Sequence, residues 1–241
     1  MDTTLVLTAA ILGFAAAVQM ASGFGFALVA TPLLAVTVGA HQAVLLSLFS
    51  AVVFNAWQAY EGRRHRDNGV VARLLVGAVA GLPVGFVVYR VTDPRELTAT
   101  IGVLVVAAAA ALSVRRPRTG DSAATDLAAG LLVGALTTST GTNGPPAVVL
   151  LQARHLRPDQ FRATLTTVFL AVDVVAVALF TVAGDLDLRT AVIATSCAPA
   201  LLLGALAGHR CRGLLSPEAF RVGVLLLLAG SGAGAVIVAL V

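Results

Sequence analysis

Asp173 lies in "TLTTVFLAVDVVAVALF" and is the only carboxylate well inside a long apolar run of this chain. A charge at the bilayer centre costs about 2.5–3.5 kcal/mol on insertion scales, so such a residue faces a cavity or a partner. There it could take and release a proton. Two other stretches supply polar groups where a bilayer normally forbids them. "STGTNGPP", Ser139–Pro146, offers hydroxyls and an amide from Ser139, Thr140, Thr142 and Asn143, and small backbone at Gly141 and Gly144. "ASGFG" offers Ser22, Gly23 and Gly25. Both stretches should interrupt a helix. Interrupted helices expose amide groups that, with the helix dipole, attract anions. A break of this kind is tolerated in lipid only where protein or a water-filled cavity satisfies the stranded backbone. The chemistry these residues point to is the binding of a small oxyanion by neutral donors. Asn55 stands 118 positions before Asp173, and the two breaks are separated by about the same interval.

The elements that must position these groups are transmembrane helices. The chain has 241 residues, 58% hydrophobic and 12% charged, with a mean hydropathy of +0.94. A soluble domain carries about 25% charged residues. The formal charge of +4 comes from Arg alone among basic residues. These Arg residues fall in short loops between apolar runs, so they read as orientation signals rather than a nucleic-acid surface. Clusters at Arg63/Arg64/Arg66/Arg73, Arg115/Arg116/Arg118, Arg154/Arg157/Arg162 and Arg210/Arg212/Arg221 can share one face, leaving only Arg90, Arg95 and Arg189 on the other. By the positive-inside rule the first face is cytoplasmic and both termini lie outside. The N-terminal "MDTTLVLTAAILGF" lacks a basic n-region and reads as a retained span rather than a cleaved signal.

The fold expected is an all-α polytopic membrane protein of about 8–10 hydrophobic segments. Residues 1–118 and 119–241 form two tandem repeats within one membrane domain. Five segments per half make the repeats inverted, whether each broken pair crosses fully or re-enters. Interrupted segments at matching positions of inverted halves point to a transporter's central site.

The residues now carry a family likeness. "SGFGFALVATPLL" in the first half resembles the TauE/SafE sulfite exporters of bacterial membranes, as does "STGTNGPPAVVLL" followed by "LRPDQFRATL" in the second. The likeness runs over essentially the whole chain. It implies a secondary transporter in the bacterial inner membrane that exports small sulfur-containing anions, such as sulfite or organosulfonates. Arg162, in the second motif, opens a helix at the cytoplasmic end, where it could draw in or bind an anion.

The sites expected are therefore Ser22, Gly23, Gly25, Asn55, Ser139, Thr140, Gly141, Thr142, Asn143, Gly144 and Arg162 for the anion, and Asp173 for the proton. The partners are the small anionic substrate and the lipid bilayer, with no nucleic acid; a homodimer is compatible with the sequence. No cofactor, metal or catalytic residue is expected. His41, His65, His155 and His209 fall at segment ends or in loops without metal-ligand spacing. Cys197 and Cys211 are two isolated residues and read as structural. Ser22 could suggest a nucleophile, but no His lies inside a later span to serve as its base. "GTNG" lacks the Lys of a nucleotide-binding loop. The alternatives are a non-transporting scaffold or sensor subunit whose breaks aid packing, or a transporter of another small solute.

Overall fold

The structure is a computed structural model that describes residues 3–114, 122–154, 156–211 and 217–240. Its described residues form eleven helices and no strand. They are α1 (Thr3–Ser22), α2 (Phe26–Val38), α3 (Ala40–Gly62), α4 (Asn68–Val91), α5 (Pro94–Ser113), α6 (Ala123–Thr140), α7 (Gly144–Ala153), α8 (Pro158–Val182), α9 (Leu188–Ser196), α10 (Ala198–Cys211) and α11 (Pro217–Leu240). Six are long and apolar enough to cross a bilayer: α1, α3, α4, α5, α8 and α11. A seventh span results if α9 and α10, bent by 41° at their junction, cross as one. Apolar side chains cover the outside as well as the core: Val76, Val79, Val84 and Val87 of α4 are all exposed. In water such a surface would aggregate; in a bilayer it faces lipid.

Local chemistry fixes where the helices begin. Pro94, Pro145 and Pro158 sit in the first turns of α5, α7 and α8, where a missing N–H costs nothing. Asp67 caps α4, accepting from the amides of Gly69 (3.0 Å) and Val70 (3.1 Å), and Asp187 caps α9, accepting from Thr190 (2.8 Å). The interruptions are tighter than the sequence predicts. Ser139 and Thr140 still belong to α6, and Gly144, Pro145 and Pro146 already belong to α7. What remains between the helices is Gly23–Gly25 in one place and Gly141–Asn143 in the other.

Contacts at the helix ends give the bundle two poles. At one, which we call the arginine pole, Arg73 near the start of α4 pairs with Asp126 at the start of α6 (2.6 Å), and Arg154 at the end of α7 pairs with the same carboxylate. The end of α3 and the start of α8 meet there too, since Gly62 packs on Ala163 and the Asp67 amide donates to Thr164 Oγ1 (3.0 Å). At the opposite pole His41 of α3 contacts the Tyr89 carbonyl of α4 (3.0 Å), and Arg90 grips Asp185 beyond α8 (3.0 Å). The helices α1 and α2 start and finish at this second pole, whereas α6 and α7 start and finish at the arginine pole. At about 1.5 Å per residue, the 13-residue α2 and 10-residue α7 span roughly 20 and 15 Å, short of a hydrocarbon core of about 30 Å.

Small residues let neighbours touch backbone to backbone, as membrane helix interfaces require. A Cβ on Gly81 of α4 would overlap the Leu131 carbonyl of α6, and one on Gly204 of α10 would overlap the Gly13 carbonyl of α1. The Thr138 hydroxyl adds a bond from α6 to the Leu82 carbonyl of α4 (2.7 Å).

Candidate functional site

Asn55 and Asp173 stand equally far into α3 and α8, which run antiparallel, so their side chains meet halfway along the pair. Asn55 Nδ2 donates to Asp173 Oδ2 (3.0 Å). The other carboxylate oxygen, Oδ1, accepts from Asn143 Nδ2 (2.8 Å), which reaches it from the loop between α6 and α7. Asn55 Oδ1 in turn accepts from Gln19 Nε2 (2.8 Å), and Gln19 Oε1 accepts from the Phe26 amide (3.1 Å) at the start of α2. The result is a single chain of amides linking both interruptions to one carboxylate. All four side chains are buried, with Asp173 only 1% exposed. Among the described residues Asp173 forms no ion pair, so amide dipoles alone face its charge.

A cavity of about 20 Å³ lies against this network. Gly25, Phe26, Asn55, Gly141, Asn143, Gly144 and Asp173 all line it, so the two interruptions face the same space. By volume it holds about one water molecule and is too small for a sulfur oxyanion. The first turns of α2 and α7 open onto it, where amides lack intrahelical acceptors. Fewer amides are available at α7 than a helix start ordinarily offers, because Pro145 and Pro146 have none. The Gly141 and Thr142 amides are also used, closing α6 by donating to Thr137 (3.1 Å) and Leu136 (3.3 Å) carbonyls. The Asn143 side chain is thus the main donor that the second interruption aims at the centre.

The hydroxyls expected to converge on a solute point elsewhere. Ser139 donates to the Ala135 carbonyl (2.7 Å) and Thr140 to the Leu136 carbonyl (3.1 Å); Thr140 also pairs with the Thr142 hydroxyl (2.7 Å). Ser22 bonds to the Val18 carbonyl (2.8 Å) and to that of Phe24. These four shape the turns rather than line the cavity.

Gly23 and Arg162 form a second group toward the arginine pole. The Arg162 stem lies directly over Gly23: a Cβ there would sit 2.7 Å from Arg162 Cγ. Phe24 and Phe161 meet edge to face beside them, with centroids 6.5 Å apart. At the other interruption Val44 takes the corresponding place, within 3.7 Å of a Cβ on Gly141.

Sequence reasoning missed Asp126. This residue stands among none of the expected site residues, yet it is fully buried between Arg73 and Arg154. The available signal was position: Asp126 follows Thr8 by the interval that separates Asn55 from Asp173, inside the segment matching α1.

Compared with known families, the chain matches the family "Sulfite exporter TauE/SafE" over residues 8–235. The chain belongs to the TauE/SafE sulfite-exporter family. Searches of curated proteins and of solved structures returned no significant match. Membership makes this TauE/SafE chain a multi-pass membrane protein of a transporter family for sulfur-containing anions. The network around Asp173 lies inside the matched region, as do both interruptions.

Proposed function

We propose that this TauE/SafE protein is a secondary transporter that exports sulfite, an organosulfonate or a similar small sulfur anion by alternating access, with Asp173 carrying the coupled proton. One observation supports it above the rest: amide donors from α3 (Asn55) and from the loop between α6 and α7 (Asn143) end on the two oxygens of a single buried carboxylate. A carboxylate is a tethered oxyanion. The geometry that satisfies it would satisfy a solute oxyanion in its place once protonation removes its charge and its claim on Asn55 and Asn143. Anion and proton then load together, without two negative charges sharing a buried site, and the anion's own outward gradient drives both out of the cell.

In this reading Gly25, Asn55, Gly141, Asn143 and Gly144 line the binding site. Ser22, Ser139, Thr140 and Thr142 hold its turns in shape, and Gly23 with Arg162 guards the approach from the arginine pole. Residues 1–118 and 119–241 act as inverted repeats. Supporting this, Gly23 and Gly141, Phe26 and Gly144, Ala40 and Pro158, and Asn55 and Asp173 all recur at one spacing. The hairpins α1–α2 and α6–α7 also approach from opposite poles. The arginine pole faces the cytoplasm of a bacterial cell, by its positive charge. The substrate and the bilayer are the partners this function requires.

The experiment is flux into vesicles reconstituted with purified protein, using sulfite, thiosulfate and short alkanesulfonates. Protein-dependent uptake that drops at least about tenfold in Asn143→Ala is the expected result, since one charge-assisted bond is worth about that much. No uptake of any of these anions would favour a scaffold or sensor role instead.

A further inference from the structure

A second cavity, about 220 Å³ in volume, opens at the pole opposite the arginine triad, between α1, α2, α3 and α9. An apolar cavity of about 150 Å³ admits benzene, so this one accommodates a small organic molecule. Its polar lining comes from Arg189, Gln42, Thr4 and Thr8, and its apolar lining includes Leu5, Leu46 and Ile193. Among the described residues Arg189 forms no ion pair. The nearby Asp187 is already engaged: hydrogen bonds from Thr190, first through its side chain, hold its carboxyl below the usual range, and Arg189 adds to this. The cavity is not a packing fault common to both poles. Where Thr8 stands here, the arginine pole has Asp126, whose buried carboxylate holds Arg73 and Arg154.

We propose that this cavity is a second anion station, which binds a short-chain organic anion with its sulfonate head on Arg189 and Gln42 and its aliphatic tail against Leu5, Leu46 and Ile193. A guanidinium supplies the planar pair of donors that a sulfonate needs. Bare sulfite has no tail to use the apolar wall. The station's place on a transport path rests on the transporter reading; its occupancy does not.

The test is calorimetric titration of the whole protein in nanodiscs of neutral phosphatidylcholine with butanesulfonate and with sulfite, alongside the flux assay. Butanesulfonate binding that weakens at least about tenfold in Arg189→Gln, is largely kept in Arg189→Lys and is lost in Ile193→Trp supports the station. Thermal unfolding of each variant confirms that it is folded. No butanesulfonate binding by the wild type, or binding indifferent to Arg189→Gln, overturns it. The same titration in nanodiscs containing phosphatidylglycerol separates solute from lipid. If the anionic lipid abolishes butanesulfonate binding in an Arg189-dependent way, the occupant is a lipid headgroup and the proposal fails. Binding without flux would leave the station standing and remove the transporter reading; flux without binding would do the reverse.

Discussion

The two interruptions lie under different side chains. Gly23 is covered by Arg162, whereas Gly141 is covered by Thr31 and Val44, and the spacing that relates the two glycines also relates Val44 to Arg162. The contrast repeats farther out. Beyond Gly23's side, the arginine pole is filled by Asp126 with Arg73 and Arg154; the opposite pole keeps Thr8, Val38 and Ile193 around an open cavity. At the centre one half contributes Asn55 and the other Asp173. Positions related by this spacing thus share a positive-φ glycine but carry different side chains around it.

The comparison can be broken first at the triad. Asp126→Ala would remove the carboxylate that the buried Arg154 shares with the partly exposed Arg73. The expected loss of stability is about 3–5 kcal/mol, seen as a lower melting temperature in detergent. The matching change at the other pole, Thr8→Ala, should stay within about 1 kcal/mol. Equal effects would mean that the poles do not differ as described.

The glycines come next. Both occupy positive φ, 90° at Gly23 and 67° at Gly141, so an alanine at either costs about 1–2 kcal/mol in backbone strain. Gly23→Ala should cost more than Gly141→Ala, because its Cβ meets the Arg162 stem at 2.7 Å whereas the other finds ordinary contacts at 3.4 Å and beyond. Adding Arg162→Ala should recover the excess and leave the strain. A double-mutant cycle with no coupling between Gly23 and Arg162 would contradict the packing.

The smallest expected effect is on rate. Arg162→Gln should slow sulfite flux from the arginine pole about three- to tenfold by weakening attraction of the anion, an effect that shrinks as salt screens it. Val44→Gln at the equivalent place should change flux from the other pole far less.

Much of this architecture was legible in the sequence. Gly and Pro punctuation located both interruptions to within three residues, and the apolar setting of Asp173 singled it out. The interval linking it to Asn55 anticipated a pair that the structure joins by a hydrogen bond. Other features depend on which way a side chain turns. The hydroxyls of Ser139 and Thr140 bond to their own helix one turn back, a choice that residue type alone does not reveal. Pro145 suits the first turn of α7, but with Pro146 it also removes amides from the very terminus expected to supply them. Asp126 was not singled out, because its burial comes from Arg73 and Arg154, both distant along the chain. The bend between α9 and α10 interrupts a run that reads as one apolar segment.

The most direct test of a shared, proton-linked anion site is sulfite uptake by Asp173→Asn in reconstituted vesicles under an imposed pH difference. The substitution keeps the size of the side chain and removes its ability to exchange a proton. Wild-type uptake should respond to the pH difference and the variant's should not, with its fold intact by thermal unfolding. An Asp173→Asn protein whose uptake tracks the pH difference as the wild type's does would contradict the central role given to this carboxylate.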